Sequence, residues 1–119
     1  MSFGTGHHQT TWMMSKMLFE LEELKRPILD MGSGTGVLAI IAEKLGGKNI
    51  LAIDIEPWSA ENAELNVSLN SCQEIKVRCG GKEQIPPSDF GLILANINKN
   101  ILKDQMSLYA ERLKKGGIL

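Results

Sequence analysis

Cysteine is scarce in this chain: Cys72 and Cys79 are the only two among 119 residues. They form no Cys-x-x-Cys pair, so neither a zinc site nor a disulfide framework is implied, and both read as reduced, half-buried thiols. An excess of one charge is also missing. Thirteen basic residues stand against fourteen acidic ones, which argues against a strong electrostatic mode of binding nucleic-acid phosphate or anionic lipid. The N-terminus carries no basic segment followed by an apolar run, and no stretch approaches the length needed to span a bilayer. A cytoplasmic setting is therefore expected, with no membrane partner and no direct nucleic-acid partner. Repeats, low-complexity tracts and linker-like shifts in composition are absent too. What remains is a chain 43% apolar, of a length that suits one domain able to bury a core.

Elements alternate along it. Phe3-Gly4-Thr5-Gly6-His7-His8-Gln9 reads as a glycine-punctuated loop, after which Thr10 or Thr11 can cap a helix. Met14, Met17, Leu18 and Leu21 supply that helix with an apolar stripe at i, i+3, i+4 and i+7, running until Pro27 forbids continuation. Ile28–Met31 predicts a short strand. Val37 to Leu45 predicts a helix stopped by Gly46-Gly47. Ile50–Ile53 is a nearly all-apolar strand ending at Asp54, as expected of a parallel strand buried on both faces. Pro57 opens a helix that passes Ala60, Ala63 and Val67 to about Asn70.

Ile75, Val77 and Cys79 alternate with Lys76 and Arg78, the pattern of an edge strand with one wetter face. Phe90–Ala95 is a further apolar strand ending at Asn96. Ile101, Leu102, Gln105, Met106, Tyr109 and Leu113 mark a last amphipathic helix, followed by a turn at Gly116-Gly117 and the start of a strand. Strands alternating with helices imply parallel pairing by right-handed crossovers. The expected fold is α/β, a doubly wound and mostly parallel Rossmann-like sheet with helices on both faces. Ligands bind such sheets at the carboxyl ends of the strands, near the switch in strand order.

Those ends carry the informative residues. Asp30-Met31-Gly32-Ser33-Gly34-Thr35-Gly36 puts three glycines at alternate positions between a strand and a helix, where a missing Cβ permits a tight turn and close approach of a ligand. The dinucleotide fingerprint requires a glycine where Val37 stands, and a phosphate-binding loop requires a lysine that does not follow. Asp54 ends the next strand at the distance where an acid in a nucleotide-binding unit accepts hydrogen bonds from both ribose hydroxyls. Together the loop and the acid point to an adenosine-bearing ligand without a pyrophosphate to grip. His7 and His8 are adjacent and point apart, so they do not chelate one metal as i, i+4 histidines do. No metal site is expected.

Asp-x-Gly-x-Gly-x-Gly followed by a strand-ending acid resembles the class I S-adenosylmethionine-dependent methyltransferases. More narrowly, Phe3-Gly4-Thr5-Gly6-His7-His8-Gln9-Thr10-Thr11 ahead of the loop, with Leu94-Ala95-Asn96-Ile97 on the fourth strand, resembles the family that methylates the eleventh protein of the large ribosomal subunit. By that resemblance the cofactor is S-adenosylmethionine and the partner is a large-subunit ribosomal protein. Thr11 meets the cofactor near its methionine end, Gly32 and Gly34 approach it through backbone, Asp54 holds the ribose, and Asn96 sits beside the transferred methyl. No catalytic acid or base is assigned.

Two departures from related patterns refine the expectation. Many class I enzymes place an acid after the third strand for the adenine amino group, where this chain has Cys79-Gly80-Gly81-Lys82-Glu83; that contact stays unassigned between Glu83 and backbone. Asn96 is followed by Ile97-Asn98, not the Pro-Pro-aromatic of nucleic-acid base and glutamine methyltransferases, which disfavours those acceptors. The expected activity is transfer of methyl groups to amino groups, lysine side chain or α-amine, of a ribosomal protein. The alternatives are another N-methyltransferase of the same fold, or a fragment that holds the cofactor without catalysis. Residues 1–119 are expected to be the cofactor-binding catalytic domain in part, with a substrate-recruiting domain before Phe3 and closing strands after Leu119 lying outside this sequence.

Overall fold

A computed structural model describes residues 5–87, 89–95 and 99–118; of residues 5–11, 99–102 and 114–118 it describes the backbone alone. The elements are α1 (Thr5–Glu20), β1 (Ile28–Met31), α2 (Val37–Lys44), β2 (Ile50–Asp54), α3 (Pro57–Leu69), β3 (Ile75–Cys79), a 3-10 turn (Lys82–Gln84), β4 (Phe90–Ala95), α4 (Lys99–Arg112) and β5 (Leu113–Ile118). The strands form one sheet in the order β3-β2-β1-β4-β5, and every pairing is parallel.

Burial follows the pleat. On β1, Ile28 faces a core shared with Leu18 of α1, with Leu38, Ala39 and Ala42 of α2, and with Ile50, Ala52, Leu92 and Leu94. Leu29 and Met31 face the other side, packing with Ile53, Ile85, Phe90, Ile93 and Tyr109 of α4. Both faces of the central strands are therefore dry, which explains why they are apolar apart from the buried Asp30 and the terminal Asp54. Each fully buried Leu or Ile contributes roughly 1.5–3 kcal/mol.

The end of α2 follows from its glycines. The Gly46 N–H donates to the Glu43 carbonyl at 2.9 Å and the Gly47 N–H to the Ala42 carbonyl at 2.8 Å, a Schellman closure with Gly46 in the left-handed region at φ 96°. β3 lies at the sheet edge, as its alternating charges predict. Its final residue departs from expectation: Cys79 is exposed, while Cys72 is half-buried.

Three boundaries differ from the sequence reading. Helix α1 already begins at Thr5, so His7 to Thr11 are helical and Thr10 and Thr11 are interior positions, not caps. Gly6 falls in the first turn of that helix, where its low propensity costs little. The same helix stops at Glu20, well short of Pro27; acidic Glu20, Glu22 and Glu23 oppose the negative end of the helix dipole. Leu113, expected on the last helix, opens β5 instead, and Gly116 and Gly117 lie inside that strand and form no turn. Strand β5 takes up the free edge of β4, pairing Leu113 with Phe90 and Ile118 with Leu92 through an irregular register.

The strand order reverses its direction of growth between β1 and β4. Register aligns Met31 with both Ile53 and Ala95, so β1, β2 and β4 end together, and the crevice of the doubly wound sheet opens above them.

Candidate functional site

Three described segments meet at that crevice: the glycine loop after β1, Asp54 at the end of β2, and the 80–83 loop after β3. Loop 32–36 is drawn over the end of β2 because the Gly32 and Ser33 N–H groups both donate to the Ile53 carbonyl, at 2.8 and 3.0 Å. The turn closes with the Gly36 N–H donating to the Ser33 carbonyl at 2.9 Å. Gly34 and Gly36 have φ of 56° and 82°, a region that costs an L-residue roughly 1–2 kcal/mol. They serve different ends. A Cβ on Gly36 would lie 3.2 Å from the Ala63 Cβ, so this glycine lets α3 pack closely; a Cβ on Gly34 would meet nothing within 4 Å, so this backbone faces open space.

Asp54 joins the two halves. Its Oδ2 accepts the Gly34 N–H at 2.8 Å and its Oδ1 accepts the Glu56 N–H at 2.9 Å. Each carboxylate oxygen keeps a further lone pair for a ligand hydroxyl. The Gly80 N–H donates to the Asp54 backbone carbonyl at 2.9 Å, which draws the loop after β3 to the same place. In that loop the Gly81 N–H donates to Glu83 Oε1 at 2.8 Å, a bond that holds the exposed Glu83 carboxyl below its ordinary range. The Glu83 carboxylate is thus turned back on its own loop.

Beneath the glycine loop lies a less ordinary group. Asp30 is fully buried, and neither carboxyl oxygen completes a hydrogen bond. Burial pushes its pKa up to about 7; the Ala39 amide in the first turn of α2 offsets part of this, and the charge on Asp54 adds to it. The Ser33 hydroxyl is likewise buried without a partner. Such groups cost stability, and their position under a ligand-facing loop is where function most often tolerates that cost.

Of the residues singled out in the sequence, the structure brings Gly32, Gly34 and Asp54 together. Thr11 sits within α1 and its side chain is outside the described part. Asn96 is outside the described residues, directly after β4. Sequence reasoning missed Asn66 of α3, whose Nδ2 donates to the Thr35 carbonyl at 2.9 Å. Its only local signal was the spacing of Asn62, Asn66 and Asn70, four residues apart. A cavity of about 400 Å³ bordered by Pro27, Leu51, Arg78 and Pro86 shares no residue with the glycine loop or Asp54.

The arrangement has the features needed to hold an adenosine: a carboxylate for two hydroxyls, a Cβ-free backbone facing open space, and unpartnered polar groups beneath. Comparison with known proteins points the same way. Residues 1–119 match the family model described as ribosomal protein L11 methyltransferase (PrmA). A curated ribosomal protein L11 methyltransferase from Porphyromonas gingivalis is 48% identical over 120 residues, covering 100% of this chain and 41% of the relative. One from Bacteroides thetaiotaomicron is 39% identical, covering 100% and 43%. The chain thus spans about two fifths of the length of these relatives. The crystal structure of a ribosomal protein L11 methylase from Lactobacillus delbrueckii subsp. bulgaricus superposes with a TM-score of 0.81 at 36% identity, covering 98% of this chain and 60% of that one. Trm5 from Methanocaldococcus jannaschii, at 20% identity and a TM-score of 0.80 over 98% of this chain and 35% of that one, shares the fold.

Proposed function

Because this chain belongs to the ribosomal protein L11 methyltransferase family, we propose that it forms the cofactor-binding part of an enzyme that transfers methyl groups from S-adenosylmethionine to amino groups of that ribosomal protein. The observation that carries the reading is the bond between the Asp54 carboxylate and the Gly34 amide, which joins acid and glycine loop into one cradle at the switch point. Residues 1–119 are the cofactor-binding catalytic domain in this reading, and a ribosomal-protein acceptor makes the cytoplasm its place of work. Among the described residues no helix is long and apolar enough to cross a membrane.

The residues present fit the cofactor. Asp54 accepts the ribose hydroxyls and the Gly32 and Gly34 backbone lies along the ligand, while Thr11 and Asn96 keep the cofactor roles that the family resemblance implies. The bound cofactor supplies a sulfonium whose methyl is already activated for transfer. The chain's own work is to hold the acceptor in line, an effect of proximity and orientation. A lysine acceptor must first be neutral, which from a reference pKa near 10.4 costs about 4.6 kcal/mol at pH 7. A desolvated site lowers that cost by disfavouring the ammonium. Asn96, with a carbonyl acceptor and no charge, suits a hydrogen bond to the amine.

Calorimetric titration of the intact chain with S-adenosylmethionine, and with NAD for comparison, tests the reading. The first is expected to bind and the second not. Asp54→Ala should weaken the cofactor at least tenfold, since hydrogen bonds to a charged group contribute about 1.5–3 kcal/mol. Unchanged affinity in that variant removes Asp54 from the ribose. Methyl transfer to intact ribosomal protein L11, measured with the complete reading frame, decides the acceptor.

A further inference from the structure

Helix α3 follows Asp54 directly, and its buried positions are all small. Ser59, Ala60 and Ala63 are buried, while Trp58, Leu65 and Leu69 are exposed. At 3.6 residues per turn Ala63, Asn66 and Asn70 lie along one side. A Cβ on Gly36 would lie 3.2 Å from the Ala63 Cβ, and Asn66 donates its side-chain amide to the Thr35 carbonyl at 2.9 Å. Asn70 continues the ladder: its side-chain amide donates to the Asn66 carbonyl at 2.8 Å, and its own carbonyl accepts Lys44 Nζ of α2 at 2.7 Å.

The glycine turn is therefore held by hydrogen bonds at two successive residues, Gly34 by Asp54 and Thr35 by Asn66, and at the third, Gly36, the absent Cβ leaves room for the close approach of Ala63. The grip matters because glycine has more backbone freedom to lose than any other residue. Two of these three residues are glycines held at positive φ. A loop left free would have to be ordered by the ligand at a cost in affinity; one held beforehand would not.

We propose that Asn66 is a positioning residue for the nucleoside end of the site: by holding the Thr35 carbonyl it keeps the Gly34 N–H on Asp54 and the ligand-facing backbone in its open form. This rests on the cofactor reading above. Asn66 acts through the loop and touches no reacting atom. Its effect belongs to binding of the nucleoside, so adenosine alone should report it.

The test uses the intact chain. Asn66→Ala, and the isosteric Asn66→Asp that lacks the donor, are expected to bind both S-adenosylmethionine and adenosine about five- to tenfold more weakly, with far-UV dichroism unchanged. A double-mutant cycle gives the distinguishing signal. With Asp54 already changed to alanine, the loss from Asn66→Ala should shrink below about threefold, because the two residues act on one turn. In the ligand-free chain, exchange of the Gly34 amide proton should quicken at least about fivefold in either Asn66 variant. Equal losses in both backgrounds, or unchanged exchange at Gly34, overturn the proposal. Absence of binding by the unaltered chain overturns the cofactor reading itself, whereas normal binding by that chain and by both Asn66 variants overturns the positioning role alone.

Discussion

Replacing Asp30 by asparagine should change how stability depends on pH. The wild-type carboxyl is fully buried and unpartnered, and its pKa is pushed from 3.8 to about 7 by burial, with the Asp54 charge adding. Below about pH 4 the group is protonated in both the folded and the unfolded chain and is neutral to the balance. Between 3.8 and about 7 the folded protein keeps a proton that the unfolded chain has released. Protonation therefore favours folding there, and the group's contribution falls as pH rises, levelling off above about 7. At roughly 1.4 kcal/mol per tenfold change in proton activity, the span amounts to about 4 kcal/mol.

The amide introduced by Asp30→Asn is neutral throughout and carries no such slope. The rest of the chain is common to both proteins, so the difference in unfolding free energy reports on this position. Urea unfolding of both proteins from about pH 4 to about 8.5 should show the variant gaining on wild type by about 4 kcal/mol, with nearly all the gain before about pH 7.5. For a chain of this length the melting-temperature difference should move by on the order of 10 °C over the same range. A difference that stays flat within about 1 kcal/mol would show that the carboxyl is solvated or paired, and would refute the account of its burial.

The two glycines that bracket Thr35 should separate stability from binding. Gly36→Ala sets a methyl 3.2 Å from Ala63 at φ 82° and should cost about 1–3 kcal/mol in urea unfolding. Gly34→Ala meets no protein atom within 4 Å, so it should cost only about 1–2 kcal/mol of backbone strain yet weaken S-adenosylmethionine at least tenfold by calorimetry; wild-type affinity would mean the ligand does not pass there. Tyr109→Phe removes a buried hydroxyl that donates to Gln105 and should cost about 0.5–1.5 kcal/mol. No loss at all in the same urea series would show that this hydroxyl is equally well satisfied by water.

The alternation of elements could be read before any coordinates because burial on both faces makes β1, β2 and β4 predominantly apolar, and because Gly46-Gly47 and Pro57 carry their boundary role in their own backbone chemistry. The expectation at Gly116-Gly117 failed because pairing of β5 with β4 outweighed glycine's turn preference. The helical start at Thr5 was hidden by two glycines that read locally as a loop. In α3 the buried face is made of Ser59, Ala60 and Ala63, so apolar periodicity gave no notice that this helix, through Asn66, grips the glycine turn.

By itself the sequence determined the order of strands and helices, the glycine spacing after β1 and the acid after β2, since each depends on a residue's own conformational freedom or on a repeat along one element. The tertiary structure alone decided that Asp30 is sealed from water without a partner, that Asp54 closes on Gly34, and that Asn66 reaches Thr35 across 31 positions. Those facts depend on which side chains packing brings together and which it leaves dry, and distance along the chain carries no record of either.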